Sequence, residues 1–229
     1  HTTGKLLDPN RFTIGIARRA TAYKRNDLIL RDPGRLAWIA QNAGGIQLVF
    51  GGKAHPRDWD GKAMIQHIVG SANALAGAVD IVYVENYDMS WGAALTSGTD
   101  LWLNTPRPPN EASGTSGMKA AMNGVPSLSV MDGWWIEGAL DGTTGWSIDA
   151  NTGNDDDATA NALYTLLEQT ILPAYTHDRD RYNAVMRGAI AFNASHFNAQ
   201  RMLAQYAIDA YTRPPRSAST IASSLSPAS

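Results

Sequence analysis

Residues 111–119 combine side chains and a spacing that could hold a phosphate group beside an amine. Five small or hydroxyl-bearing residues precede a helix-compatible run: Ser113, Gly114, Thr115, Ser116 and Gly117. Free backbone N–H groups at the start of such a helix attract anions. Lys119 follows Thr115 by four positions, so the two would share a helix face about one turn apart. A ligand bearing a phosphate and an aldehyde would fit, although ordinary helix capping and a solvated lysine explain the same residues.

A second group of charges lies near the start of the chain. Residues 12–17 form a β-branched run that is typical of a buried strand, and Arg18 and Arg19 follow it directly. Lys24 and Arg25 come soon after, which gives four cations within residues 18–25. On residue type alone, we expect Tyr23 to pack in the core and Arg25 to be solvated.

The elements that would position these residues follow an alternating pattern. Apolar runs predict five strands, at residues 12–17, 45–52, 79–84, 101–103 and 126–131. Helical patterns lie between them, which favours right-handed βαβ units in a Rossmann-like α/β fold, an open parallel sheet with helices on both faces. Ligands bind outside the carboxyl ends of such strands. The polar residues Arg18, Lys53, Glu85 and Glu111 all follow strands and should therefore gather on one rim.

The second half of the chain has a different character. Residues 151–157 are acidic and predict a solvated connection, and helical patterns follow at residues 158–171, closed by Pro173, then 181–192 and 198–211. We predict one domain over residues 1–212 with C-terminal helices. Residues 213–229 are rich in Ser, Ala and Pro and predict a poorly ordered tail.

Composition excludes several classes of function. The 229 residues carry a formal charge of −2, so no nucleic-acid or membrane-surface footprint is indicated. No apolar run is long enough to span a bilayer. Cysteine is absent, which removes thiolate metal sites and disulfides and is compatible with a reducing compartment. We predict no metal and a cytoplasmic location.

Four segments, in this order, closely resemble the second half of the α-glucan phosphorylases, the glycogen, starch and maltodextrin phosphorylase family. They are residues 18–25, 51–54, 85–87 and 111–119. The resemblance implies the second of two Rossmann-like domains of the GT-B architecture, with the first domain absent. It also implies phosphorolysis, in which inorganic phosphate attacks an α-1,4-glucan and releases glucose 1-phosphate. The resemblance leaves open whether the protein forms a homo-oligomer.

The resemblance implies pyridoxal 5'-phosphate as cofactor, held covalently by Lys119 in the intact two-domain enzyme. Because cofactor contacts from the first domain are absent, we expect a lower affinity, or an empty site, in this chain alone. By matched position, Lys24, Arg18, Thr115 and the Ser116 amide would bind the cofactor phosphate, and Tyr87 would lie near the cofactor. Arg19 would bind the substrate phosphate, and Glu111, Ser113 and Gly114 would bind the sugar. Arg19, Lys24 and Lys119 would be the catalytic residues. In the family, the cofactor phosphate and the substrate phosphate lie side by side. Two unit charges ~4 Å apart repel by about 4 kcal/mol at an effective dielectric near 20, so this pair of phosphates requires a patch of cations.

Some positions depart from the long-form members of the family. Thr21-Ala22 replaces a His-Glu pair, and Ser116-Gly117 replaces Gly-Asn. The compact bacterial members look more similar, so these changes bear on regulation. In the family the first domain supplies the acceptor-sugar site, so we expect this chain alone to be inactive.

Two other functions fit parts of the pattern. A nucleotide-sugar glycosyltransferase half would share the GT-B architecture, because fold does not determine function. A non-catalytic phosphate- or sugar-binding module would also use the phosphate cradle. Neither predicts near-ultraviolet absorbance from a lysine-bound cofactor.

Overall fold

A computed structural model of the protein describes residues 4–149 and 154–212. Its centre is an open sheet of six strands, all parallel, in the order β3-β2-β1-β4-β5-β6. The strands are β1 Phe12–Ala17, β2 Ile46–Gly51, β3 Val79–Val84, β4 Leu101–Asn104, β5 Ser127–Val130 and β6 Gly145–Ile148. The predicted parallel sheet is confirmed, but the prediction of five strands missed β6.

The helices of the first half connect these strands. They are α1 Pro33–Asn42, α2 Trp59–Ala74, α3 Met89–Gly98, α4 Thr115–Met122 and the short α5 Trp135–Gly138. An aspartate caps each of the first three, since the carboxylates of Asp32, Asp58 and Asp88 accept from the amides of Arg35, Gly61 and Trp91 at 2.8–2.9 Å. Two 3₁₀ turns, Ala22–Lys24 and Leu28–Leu30, lie between β1 and α1.

Helices cover both faces of the sheet, as predicted. The larger core contains Ile14 and Leu48 from the sheet with Leu36 and Ile68 from α1 and α2. On the other face, Trp102 is fully buried in a smaller cluster with Leu95 of α3 and Ala120 of α4. Because α1 and α2 lie on one face and α3 and α4 on the other, the sheet is doubly wound and its winding reverses between β1 and β4.

The C-terminal helices differ from the prediction at Pro173. Helix α6, Asp156–Leu166, continues through a π-helical stretch, Leu167–Ile171, into α7, Leu172–His177. Pro173 therefore lies in the first turn of α7 rather than ending a helix. A π-helical turn ahead of the proline accommodates its ring and its missing N–H, which an uninterrupted α-helix would not.

Helix α6 also begins earlier than predicted. Asp155 caps it by accepting from the amides of Asp157 and Ala158, so Asp156 and Asp157 are helical rather than part of a loop. Helix α8, Arg179–Gly188, runs into a π-helical stretch, Ala189–Ala194, that packs against α4.

The chain divides into two compact units, residues 1–195 and the segment from residue 196 onward. In the second unit, α9, Ala199–Tyr206, starts at the Asn198 cap and continues as a π-helical stretch, Ala207–Tyr211. The prediction of a single domain over residues 1–212 stays a prediction, and that of a tail at 213–229 lies outside the described residues. Within residues 4–149 and 154–212, no helix is both long and apolar enough to cross a membrane.

Candidate active site at the carboxyl edge of the sheet

The site lies where the winding of the sheet reverses. Arg18 follows the last residue of β1, and Asn104 is the last residue of the neighbouring strand β4. Both side chains are buried, and both line a small pocket that also includes Glu111. In doubly wound sheets this crevice is the usual place for a ligand.

Two cations share the carboxylate of Glu111. Arg18 Nη2 donates to Glu111 Oε2, and Lys24 Nζ lies 2.7 Å from Oε2 and 3.1 Å from Oε1. The three side chains, called the Glu111 cluster below, are only 5%, 13% and 9% exposed for Arg18, Lys24 and Glu111. Their formal charges sum to +1, so the cluster is a buried cationic centre.

Arg18 has capacity for another partner. Burial lowers the pKa of its guanidinium, and the Glu111 carboxylate opposes that shift. Within the described part of the chain, Arg18 Nη1 is buried and has no hydrogen-bond partner. An unsatisfied buried donor costs free energy, so this nitrogen favours an acceptor such as a phosphate oxygen.

A neighbouring loop holds the segment that carries Glu111. The Glu111 amide donates to Asp132 Oδ2 at 2.9 Å, and the Trp134 amide donates to the Ser113 carbonyl at 2.9 Å. Gly133 has φ +58°, and a Cβ built there would lie 2.5 Å from the Ser113 carbonyl oxygen. Only glycine fits this close approach, so residues 132–134 determine where residues 111–114 lie.

Helix α4 begins directly after that segment. Its N-cap residue is Gly114 at φ +87°, and no side chain of the described residues caps the first turn. The N–H groups at Thr115 and Ser116 are thus available to an anion. Ser116 Oγ accepts from Trp102 Nε1 at 3.3 Å, which ties this turn to the core of the sheet.

Lys119 lies one turn further along α4 and is exposed. Its side chain lines a cleft of about 710 Å³ between α3 and α4, together with Tyr87, Gly92 and Ser116. That volume lies within the roughly 300–1,000 Å³ of typical small-molecule sites. Burial raises the pKa of the Tyr87 phenol, which lies beside the cleft.

The structure separates the predicted rim residues into two sets. Arg18, Lys24 and Glu111 contact one another, and Ser113 and Gly114 line the same small pocket. Arg19, Lys53 and Glu85 follow strands as predicted but are exposed. Among the described residues, no hydrogen bond or ion pair joins their side chains to the Glu111 cluster.

Arg25 corrects an expectation. It is 4% exposed rather than solvated, and its guanidinium donates to the carbonyls of Thr105 and Pro106 at 2.9 and 2.8 Å. Tyr23 is only partly buried rather than a core residue, and its carbonyl accepts from the Arg107 amide at 2.7 Å. Asn104 was missed, although a polar residue ending an apolar strand at the carboxyl edge is a signal for a site residue.

The residues present fit a ligand with a phosphate group and an aldehyde. The open first turn of α4, Lys24 and the unpartnered Arg18 nitrogen supply anion donors, and Lys119 supplies an amine beside a cleft of suitable size. Over residues 4–149 and 154–212, no group of three His, Asp or Glu side chains is placed to hold a metal ion.

The fold and this rim define a doubly wound α/β domain with a buried cationic cluster at its switch point. A family model described as carbohydrate phosphorylase matches residues 18–141, which include the Glu111 cluster and Lys119. The chain belongs to the carbohydrate phosphorylase family.

Curated relatives carry names from the same family. The chain is 42% identical to a maltodextrin phosphorylase of Thermococcus litoralis over 90% of its own length and 26% of that protein. It is also 42% identical to a glycogen phosphorylase of Aquifex aeolicus, over 92% of the chain and 31% of the relative. It is likewise 42% identical to a glycogen phosphorylase of Mycobacterium tuberculosis, over 91% of the chain and 25% of the relative.

The chain therefore spans roughly a quarter to a third of the length of these three relatives, from 25% to 31%. The names of these relatives do not favour either alternative function, a nucleotide-sugar glycosyltransferase half or a non-catalytic binding module.

Proposed function

We propose that this chain is the cofactor-bearing C-terminal domain of an α-glucan phosphorylase. The reaction would be phosphorolysis of an α-1,4-glucan to glucose 1-phosphate, carried out with a partner domain of GT-B type. One observation carries the proposal: the buried Glu111 cluster shares a small pocket with the N-cap residue Gly114 of α4, and the same helix carries Lys119 into a second, larger cleft. This arrangement joins an anion site to an amine, as the family's chemistry requires.

The proposed cofactor is pyridoxal 5'-phosphate. Lys119 would hold it covalently in the cleft beside Tyr87. The amides of Thr115 and Ser116, with Lys24 and Arg18, would bind its phosphate end, because helix N-termini and cations stabilise dianions. When bound, the cofactor supplies a phosphate group that can exchange a proton with the substrate phosphate.

The substrates would bind on the outer side of this centre. Arg19 is exposed next to Arg18, and its planar fork suits two oxygens of inorganic phosphate. Glu111 would accept hydrogen bonds from sugar hydroxyls, with Ser113 and Gly114 beside it. A carboxylate has about four acceptor positions, so Glu111 can serve both cations and one hydroxyl.

The cation patch explains how two phosphates could lie side by side. Unit charges ~4 Å apart repel by about 4 kcal/mol at an effective dielectric near 20, and each cation at a similar distance offsets a comparable amount. Arg18, Arg19 and Lys24 would hold both anions, and Glu111 would keep Arg18 and Lys24 paired before the phosphates arrive.

The proposed partners are an α-1,4-glucan, inorganic phosphate and a first GT-B domain, on this polypeptide or on another. On the resemblance alone, we also propose the cytoplasm as the compartment and keep a homo-oligomer open. Light scattering of the purified protein would measure the oligomer.

Attachment of the cofactor tests the proposed function. The purified chain is incubated with pyridoxal phosphate, and near-ultraviolet absorbance and the mass after borohydride reduction are recorded. We expect one cofactor on Lys119, none after Lys119→Ala, and unchanged attachment after Lys62→Ala. Lys62 is a suitable control because it lies on α2 against the exposed Trp59 ring. Equal attachment in the Lys119→Ala protein would contradict the assignment.

A further inference from the structure

Arg25 joins three separate segments of the chain. Its Nε donates to the Thr105 carbonyl at 2.9 Å and its Nη2 to the Pro106 carbonyl at 2.8 Å. Its Nη1 lies 2.8 Å from Asp156 Oδ1, in the first turn of α6. One guanidinium thus satisfies two loop carbonyls after β4 and one carboxylate, with one contact from each of its three nitrogens.

Residues 23–25 also accept hydrogen bonds from the loop after β4, residues 105–107. Thr105 Oγ1 donates to the Arg25 carbonyl at 2.8 Å, and the Arg107 amide donates to the Tyr23 carbonyl at 2.7 Å. Arg107 Nη2 reaches the same Asp156 oxygen at 2.6 Å. Residues 23–25 and 105–107 are therefore held together by side chains and backbone alike.

Lys24 lies in the middle of the first bonded segment. Its own ammonium reaches Glu111, which follows the second segment by four residues along the chain. The bonds made by Arg25 consequently determine the separation between the two backbones that carry this ion pair. A small shift between them would move Lys24 relative to Glu111 and to the start of α4.

The backbone at Arg25 supports this interpretation. Its φ is +44°, in the left-handed region that residues with a Cβ seldom adopt. Such a conformation persists where the surroundings hold it, and it is often found beside functional sites. The conformation directs the Arg25 side chain towards the β4 loop, while Lys24 points to Glu111.

We propose that Arg25, together with Asp156, is a positioning residue of the phosphate site. It holds Lys24 and the segment leading to Glu111 in register, so that the cations are placed before an anion binds. The consequence for the reaction rests on the proposed function, whereas the placement of Lys24 does not.

The test uses a matched ion pair as its control. Arg31 and Asp157 form a pair of 2.7 Å that also joins the region after β1 to the first turn of α6, but their side chains are 52% and 76% exposed. The variants are Arg25→Lys and Asp156→Asn, compared with Arg31→Lys and Asp157→Asn. Asp156→Asn keeps the side-chain shape at a partly exposed position, so we expect this variant to fold even if Arg25→Lys does not.

The first measurement reports on Lys24 without any cofactor. The purified proteins are labelled with limiting acetic anhydride across a pH series, and mass spectrometry gives the rate at Lys24 relative to Lys62. Loss of a charge-assisted hydrogen bond shifts the equilibrium between the arrangement with Lys24 held in place and one with Lys24 displaced by about tenfold. The labelling rate should follow the displaced fraction. We expect Lys24 to label about tenfold faster in Arg25→Lys, to change in the same direction in Asp156→Asn, and to be unchanged in both controls.

The second measurement is the dissociation constant of pyridoxal phosphate. We expect it to rise about tenfold in Arg25→Lys, with the parent affinity in Arg31→Lys. A lowered melting temperature with unchanged Lys24 labelling and unchanged cofactor affinity would overturn the proposal, because Arg25 would then only stabilise the fold. Faster labelling in a protein that never takes up cofactor would support the positioning of Lys24 and overturn the proposed function instead.

Discussion

Glu111 is the residue on which the cationic centre depends, because Arg18 and Lys24 both pair with it in a setting nearly shielded from water. Removing one partner of a buried ion pair leaves an uncompensated charge. We therefore expect Glu111→Gln to lower the free energy of unfolding by about 3 kcal/mol, measured by urea denaturation. Inorganic phosphate should restore part of this loss, since an anion that binds only the folded state stabilises it.

The control for this prediction is Asp157→Asn, which removes the carboxylate of an exposed pair with Arg31. Water and salt screen an exposed pair, so the control should change the free energy of unfolding little. Equal losses in the two variants would mean that the Glu111 cluster is not the buried electrostatic centre inferred from its contacts.

Arg19 should act on the substrate phosphate rather than on the cofactor. Lysine lacks the planar fork that binds two oxygens at once, so Arg19→Lys should raise the KM for phosphate by about tenfold. The measurement requires the complete two-domain enzyme, with cofactor content determined in parallel. A loss of cofactor at unchanged phosphate KM would assign Arg19 to the other phosphate.

The residues of the site differ in how far the sequence predicts them. Residue type and order drew attention to the segment 111–119 and to the cations after β1, and the resemblance to phosphorylases then gave these residues their expected roles. The contacts of Arg25 could not be predicted, because its three acceptors lie 80, 81 and 131 positions away along the chain and its backbone is left-handed. Pairing over such separations follows from the tertiary fold and has no local signature.

At the scale of elements, the loop after β5 fixes the segment before α4. Gly133→Ala would place a Cβ 2.5 Å from the Ser113 carbonyl at a positive φ. We expect the 111–114 segment to move, with a rise in the dissociation constant for pyridoxal phosphate of about tenfold or more.

Gly142→Ala is the matched control for this change. Gly142 has a similar φ of +70°, but nothing lies within 4 Å of a Cβ built there. Both variants carry the strain of a left-handed residue, of order 1 kcal/mol, and both should lose some thermal stability. If cofactor affinity fell equally in the two, the contact with Ser113 would have no special role.

Strands were predictable from long apolar runs, both inside the sheet and at its β3 edge, whereas β6 at the other edge was missed. Strands β1, β2 and β3 have six residues each and read clearly as apolar runs, whereas β6 has four and starts with a glycine. A Cβ at Gly145 would lie 2.2 Å from the Ser127 carbonyl, so pairing with β5 requires glycine there. In the sequence the same glycine indicates a turn, which explains why β6 was missed.

At the scale of the whole molecule, the site is only partly enclosed by this chain. The Glu111 cluster is buried, but Arg19 and Lys119 are exposed. Catalysis by charge stabilisation requires donors held in a site that excludes water. The chain also spans only 25% to 31% of the length of the three relatives named above, which agrees with the proposed further domain.

We therefore expect this chain by itself to fold and to take up cofactor weakly, but not to turn over. The described residues of the first unit form a six-stranded sheet with a core cluster on each face, so we expect folding without another domain. The exposed Arg19 would bind phosphate in high dielectric, where a contact at ~4 Å is worth about 1 kcal/mol rather than about 4. The assay mixes the chain with pyridoxal phosphate, maltodextrin and phosphate and measures glucose 1-phosphate, with a two-domain relative as the positive control. Turnover close to that of the control would show that residues of this chain alone exclude water well enough, and it would remove the need for a covering domain.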